Sequence, residues 1–209
     1  MANVLIGTVL EILREELNTF LGKKEPRYLT HPPVQVSDLV DQKGEWAFSQ
    51  GGDEDVSQDR VIITLVNIEE ETFGKAQLPF VKKPDHTLDR LNPAIKLNVF
   101  TLFSAFSNME AGERYRNCLN IVSLVVLFFQ SKHVFDHQNT PNLPADIEEV
   151  VVELVSPTFE QQNFLWGMIG AKYMPSVLYK LRLLEMQETE EVGSGPVIAQ
   201  IKVREDMIT

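Results

Sequence analysis

The residues able to do chemistry are few and scattered along the chain. His133 and His137 stand four apart with Asp136 between them, the spacing of two metal ligands on one helical turn. That stretch runs into Asn139-Thr140-Pro141 and no third ligand is placed by the sequence, so it reads as ordinary loop polarity. Asp53, Asp55, Ser57 and Asp59 alternate like the opening of a calcium loop. Gln58 stands where such a loop turns on glycine, and Thr64 where it closes on an acid. The run therefore reads as a solvated acidic loop. Cys118 lies among Tyr115, Leu119 and Val122 on an apolar helix stripe, where a small buried side chain is expected rather than a nucleophile. Gly193-Ser194-Gly195 follows an acidic hinge rather than a strong strand, and no phosphate-loop or dinucleotide signature accompanies it. Trp166 and Phe164 are expected in the core. No catalytic, cofactor-binding or metal-binding residue is assigned, and the chain does not read as an enzyme.

The elements that would position these groups follow from hydrophobic spacing. Ile6, Val9, Leu10, Leu13, Leu17, Phe20 and Leu21 predict a helix over 3–21, with Gly22 as its left-handed stop. A second helix is expected over 109–132. A third follows Ser156-Pro157-Thr158, with proline in its first turn, and closes at Gly170. Strands are expected over 34–39, 60–68, 94–104, 147–155 and 177–186. The strand over 60–68 is apolar on both sides, as a central strand covered on two faces would be. Residues 72–93 read as a long polar connection. Glu149 and Glu153 should meet Lys180 and Arg182 if their strands are neighbours. This order predicts an α+β domain over 1–187, one mixed β-sheet packed by about three helices. Residues 188–209 form an acidic hinge and an extended C-terminal arm, with Val197, Ala199, Ile201 and Val203 on one side.

Composition bounds the partners. The 209 residues include 19 basic and 30 acidic side chains, a formal net charge of −11. That balance argues against nucleic acid or an anionic membrane, which need a positive surface. A single cysteine excludes an intramolecular disulfide and suits a reducing compartment. The N-terminal stretch has no basic region, and Glu11, Arg14, Glu15 and Glu16 interrupt its apolar run. The apolar run over 119–129 is too short for a bilayer of about 30 Å. Cytoplasmic synthesis, solubility and no direct membrane insertion are expected.

Two features suggest association. On the helix over 109–132, one stripe holds Tyr115, Cys118, Leu119, Val122, Val125, Val126 and Phe129, and Ile121, Leu124 and Phe128 form a second beside it. A helix covering one sheet needs a single stripe of about 100°. The second stripe is a candidate subunit interface, or else is buried beneath another helix of the same chain. The arm strand must also pair, either with its own sheet or with a neighbouring chain.

Four longer stretches carry a resemblance: LVNIEEE (65–71), NPAIKLNVFTLFSAF (92–106), FFQSKHVFDHQNTPNLP (128–144) and ELVSPTFEQQNFLWGMIGAKYMPSVLYKLRLLEM (153–186). Together, over about residues 3–187, the sequence resembles the cap, or tail-terminator, proteins of extracellular contractile injection systems. These are phage-tail-like particles of the Photorhabdus virulence cassette and antifeeding prophage type. The resemblance implies a tail-terminator fold and a homo-oligomeric ring, a hexamer, seated on the last layer of inner tube and sheath. Such a ring ends polymerisation, fixes length and anchors the distal end of the sheath, in a particle either released or held at a membrane. It implies no catalytic residues and no cofactor. An assembly adaptor or chaperone-like module, lost from the mature particle, is the alternative that the same surface features allow.

Overall fold

Val9, Leu10, Leu13, Leu17 and Leu21 recur at helical spacing and are all buried; they make Leu5–Lys24 helix α1. The computed structural model describes residues 5–47, 59–71, 80–82, 87–90, 95–186 and 194–196. Helix α1 runs through Gly22 instead of stopping there. The positive-φ glycines among the described residues are Gly44 and Gly170. Gly22 answers a different need: a Cβ there would lie 2.6 Å from Leu29 Cδ2. Its absence lets the short helix α2 (Arg27–Thr30) fold back onto α1.

The strands are β1 (Val34–Val36), β2 (Arg60–Glu70), β3 (Phe80–Lys82), β4 (Thr87–Arg90), β5 (Ile95–Phe106), β6 (Val134–Asp136), β7 (Glu149–Val155), β8 (Ser176–Met186) and β9 (Ser194–Pro196). Six form one sheet in the order β1-β2-β5-β8-β7-β6. The β1–β2 pair is parallel and the other pairs are antiparallel, so the sheet is mixed as expected. The α+β class also stands. A second sheet, β3-β4-β9, was not expected. It turns part of the 72–93 connection into a hairpin, and its third strand takes Ser194–Pro196 from the expected hinge and arm.

Helices α1 and α3 (Ala111–Ser131) cover one face of the large sheet, over Val61, Ile63, Val99, Phe103, Val152, Tyr179 and Leu181. The other face carries Ile62 and Leu102 beneath Leu39, Trp166 and Met174. Trp166 belongs to helix α4 (Phe159–Ile169). Among the described residues there are four helical segments, the single-turn α2, packed on α1, being the one beyond the expected three. Strand β2 is buried on both faces only from Val61 to Thr64. A bulge at Val66, between the pairs Leu65↔Thr101 and Asn67↔Phe100, then shifts the alternation. Ile68 consequently sits opposite Val99 instead of sharing a face with Ile62.

The two stripes of α3 exchange part of their expected roles. Ile121 and Phe128 are buried in the core, with Leu124 packed part-buried at its edge. The reason is α1, which lies beside α3 on the same face and brings Phe20 to 5.4 Å from the Phe128 ring. Phe129 meets Phe103 at 5.1 Å and Tyr179 at 4.5 Å. Of the two readings of this stripe, Ile121 and Phe128 follow burial beneath another helix of the same chain and are core rather than subunit interface. Tyr115 and Leu119, expected in the covered stripe, are exposed.

Helix α4 starts on a reciprocal cap. Thr158 Oγ1 accepts from the Gln161 backbone N–H at 3.2 Å, and Gln161 Oε1 accepts from the Thr158 backbone N–H at 2.9 Å. Pro157 precedes this cap rather than entering the first turn. Gly170 ends the helix at φ 72°, as its position suggested.

A buried polar cluster ties α2, β2 and α3 together. Asp59 is almost fully buried. Its carboxylate accepts from Tyr28 Oη at 2.7 Å and from Asn117 Nδ2 at 2.6 Å, and pairs with Arg27 Nη2 at 3.0 Å. Asn117 Nδ2 also donates to buried Ser107 Oγ at 3.0 Å. Burial, reinforced by the hydrogen bond to Asp59, pushes the Tyr28 phenol well above its ordinary range. Tyr28→Phe removes one donor from a buried carboxylate and should cost about 1.5–3 kcal/mol in urea unfolding.

Across β7 and β8, Glu153 sits in register with Lys180. Lys180 Nζ lies 2.7 Å and Arg182 Nη1 3.3 Å from its carboxylate. The Lys180 contact, with Arg182 behind it, holds the Glu153 carboxyl below its usual range. A depressed carboxylate stabilises the fold above its unfolded pKa of about 4.3, and that contribution is lost as pH falls through the folded value. Glu153→Gln should therefore lower the thermal midpoint at pH 7, and the gap from the parent should close in acid.

Candidate assembly surfaces

Of the groups singled out for chemistry, Asp136, Asp59 and Cys118 have structural roles. Asp136 ends β6, and its Oδ1 accepts from the backbone N–H groups of Gln138 and Asn139 at 2.9 Å each. This carboxylate between the two histidines organises a turn. Among the described residues, no three His, Cys, Asp or Glu side chains are grouped to hold a metal ion. Asp59 belongs to the cluster with Tyr28 and Asn117, whereas Asp53, Asp55 and Ser57 lie outside the described residues. Cys118 is buried. Its burial, then the nearby negative charge of Asp59, raises the thiol pKa and favours the un-ionised form. Ser194 and Gly195 sit in β9 against Asp89 and Leu88. Val197, Ala199, Ile201 and Val203 lie outside the described residues.

What remains is apolar surface. On α4 only Trp166 is fully committed to the core, with Leu165 and Ile169 part-buried beside it. Phe159 is 93 % exposed, Phe164 66 % and Met168 69 %. The expectation that Phe164 is core is therefore corrected. It stands on the outer side of a helix whose inner side already holds Trp166. Phe164 and Met168 are one helical turn apart, and both border an open groove of about 820 Å³ between α4 and Val66-Asn67 of β2. On the other side of α4, a cavity of about 280 Å³ runs between Trp166, Pro157 and Leu154.

A second apolar strip lies on α3. Tyr115, Leu119, Val122 and Val126 follow helical spacing along one flank. Tyr115 is 58 % and Leu119 43 % exposed, while Val122 and Val126 are part-buried. A third pair, Leu65 and Ile68, is exposed on β2 on either side of its bulge. Exposed apolar residues this concentrated mark surfaces meant to be covered. The charge pattern agrees: Gln161 to Ala171 and Asn117 to Ser131 contain no Asp, Glu, Lys or Arg. Spacing could have revealed Phe164 and Met168, since neither shares a side with Trp166. Among the described residues, no helix is long and apolar enough to cross a membrane.

This topology has known counterparts. Among solved structures, the chain is similar to the PVC sheath/tube terminator in the extended state, from the cryo-EM structure of an extracellular contractile injection system. The two share 10 % identity at a TM-score of 0.55, over 93 % of this chain and 63 % of that one. It is also similar to the tube-terminating cap of the anti-feeding prophage, at 9 % identity and a TM-score of 0.51, over 81 % of this chain and 55 % of that one. At such identities the likeness shows a shared fold. The chain spans less than two thirds of the length of either structure. No match was found among curated proteins. The family model described as the Pvc16 N-terminal domain matches residues 8–200, most of the sequence. The chain belongs to the Pvc16 N-terminal domain family.

Proposed function

We propose that this chain is a structural cap, or tail terminator, of a contractile phage-tail-like injection particle. The observation that carries this reading is the family match over residues 8–200, joined to a fold shared with two terminator caps. In this reading six copies close into a ring at the distal end of the inner tube and sheath. One side of the ring matches the last tube layer, and the other offers no tube-like surface. Growth stops because the next layer finds nothing complementary to bind. The same ring anchors the last sheath layer during contraction. The chain is made in the cytoplasm and joins the particle there, and its work is geometric rather than catalytic.

Charge supports the reading. Six copies at −11 each form a strongly acidic ring, which repels a second identical ring and favours partners with basic patches. The contact with tube and sheath should accordingly weaken as salt rises.

Particles carrying a gold-labelled copy of this chain test the proposal. Negative-stain images should show label at one end only, and deleting the chain should yield particles of uncontrolled length or with unstable sheaths. Length-controlled particles without the chain would contradict the cap role. Label found with assembly intermediates but missing from finished particles would identify an adaptor instead.

A further inference from the structure

We infer that copies of this chain meet head to tail, with the outer face of α4 on one copy against the exposed flank of α3 on the next. The inference rests on the cap reading above and deepens it by naming the two contact surfaces. Closing a ring requires two different patches on different sides of one subunit. Phe164 and Met168 lie on α4, and Tyr115 and Leu119 on α3. The two helices cover opposite faces of the six-stranded sheet. Trp166 of α4 packs with Ile62 and Leu102, whereas Phe128 and Phe129 of α3 pack with Phe103 and Tyr179. The patches therefore point to opposite sides of the subunit.

Charge selects the occupant. In a chain with 19 basic and 30 acidic residues, two copies repel over most of their surface. They approach most closely where charge is missing, and interface centres are depleted of charge. Gln161 to Ala171 and Asn117 to Ser131 are such stretches. At their margins charge returns: Glu160 stands in the first turn of α4 and Lys172 just past its end, and α3 carries exposed Glu113, Arg114 and Arg116 around Tyr115. A contact between α4 and α3 can set Glu160 against Arg114 and Arg116. Pairing α4 with α4 would instead close a dimer and end growth at two chains.

The test is a double variant, Phe164→Cys with Leu119→Cys, in the full chain assembled on particles and treated with a short bismaleimide. The native Cys118 is buried, so the two introduced thiols are the reactive ones. The expected result is a ladder of covalent species up to six chains on a denaturing gel, with no dimer from either single variant. Phe164→Glu and Leu119→Glu should each fold with the parent's circular dichroism yet fail to join particle ends. A covalent dimer from Phe164→Cys alone would overturn the inference in favour of paired α4 faces. A labelled chain at the particle end that yields no ladder, and tolerates both glutamates, would place α4 against tube or sheath. In that case the cap reading survives and the inference falls. Label missing from the particle end removes both.

Discussion

The contact of Phe128 and Phe129 with the sheet and with α1 sets which surfaces this molecule can offer. Phe129 lies 5.1 Å from Phe103 and 4.5 Å from Tyr179, and Phe128 lies 5.4 Å from Phe20. Aromatic packing at these spacings combines large area burial with directional ring contacts, and burial alone pushes the Tyr179 phenol up to about 12. With those rings turned inward, the rotation of α3 is fixed. Ile121 follows them into the core, and Tyr115 and Leu119 are left outside. On the opposite face, Trp166 plays the corresponding part for α4. It seals Ile62 and Leu102 and leaves Phe164 and Met168 outward. The same packing that completes the core therefore creates apolar surface that the described residues leave exposed.

Much of this architecture is legible in the sequence, and the limits of legibility have physical causes. Alternation over 94–104 and 177–186 foretells β5 and β8, and the charges of Glu153, Lys180 and Arg182 foretell one meeting between β7 and β8, whereas Glu149 stands opposite Asp136 of β6. Thr158 and Gly170 mark the ends of α4 through local hydrogen bonding and backbone sign, which require no tertiary knowledge. The role of the α3 stripes is different in kind. Two adjacent apolar stripes are equivalent until the position of α1 is known, and nothing local encodes that position. Gly22 misleads because glycine serves both left-handed stops and close approach. The bulge at Val66 reverses the side of Ile68 without a glycine to announce it. The second sheet joins strands of three and four residues, too short for periodicity to declare. Asp59 looks like one more acid in an acidic loop. Only the folded chain brings Tyr28 and Asn117 to it.

The account joins an acidic chain to a particle end through shape and charge rather than chemistry. Cys118 and Asp136 are absorbed into core packing and turn formation. Surfaces suited to association lie on opposite faces of the sheet, largely in stretches without charge, and they sit on a fold shared with known terminator caps. A filament ends when its final subunit presents unlike sides, one complementary to the layer below and one not. In the proposed ring, the exposed apolar helix faces bind laterally while the net charge of −11 on each chain repels another ring above it.

The most direct measurement is a cryo-EM reconstruction of the distal end of the particle that contains this chain. The account predicts one six-fold ring of density per particle, at the end of tube and sheath, into which this fold fits. Density for the chain repeating along the shaft, or an end layer built without it, would contradict the account.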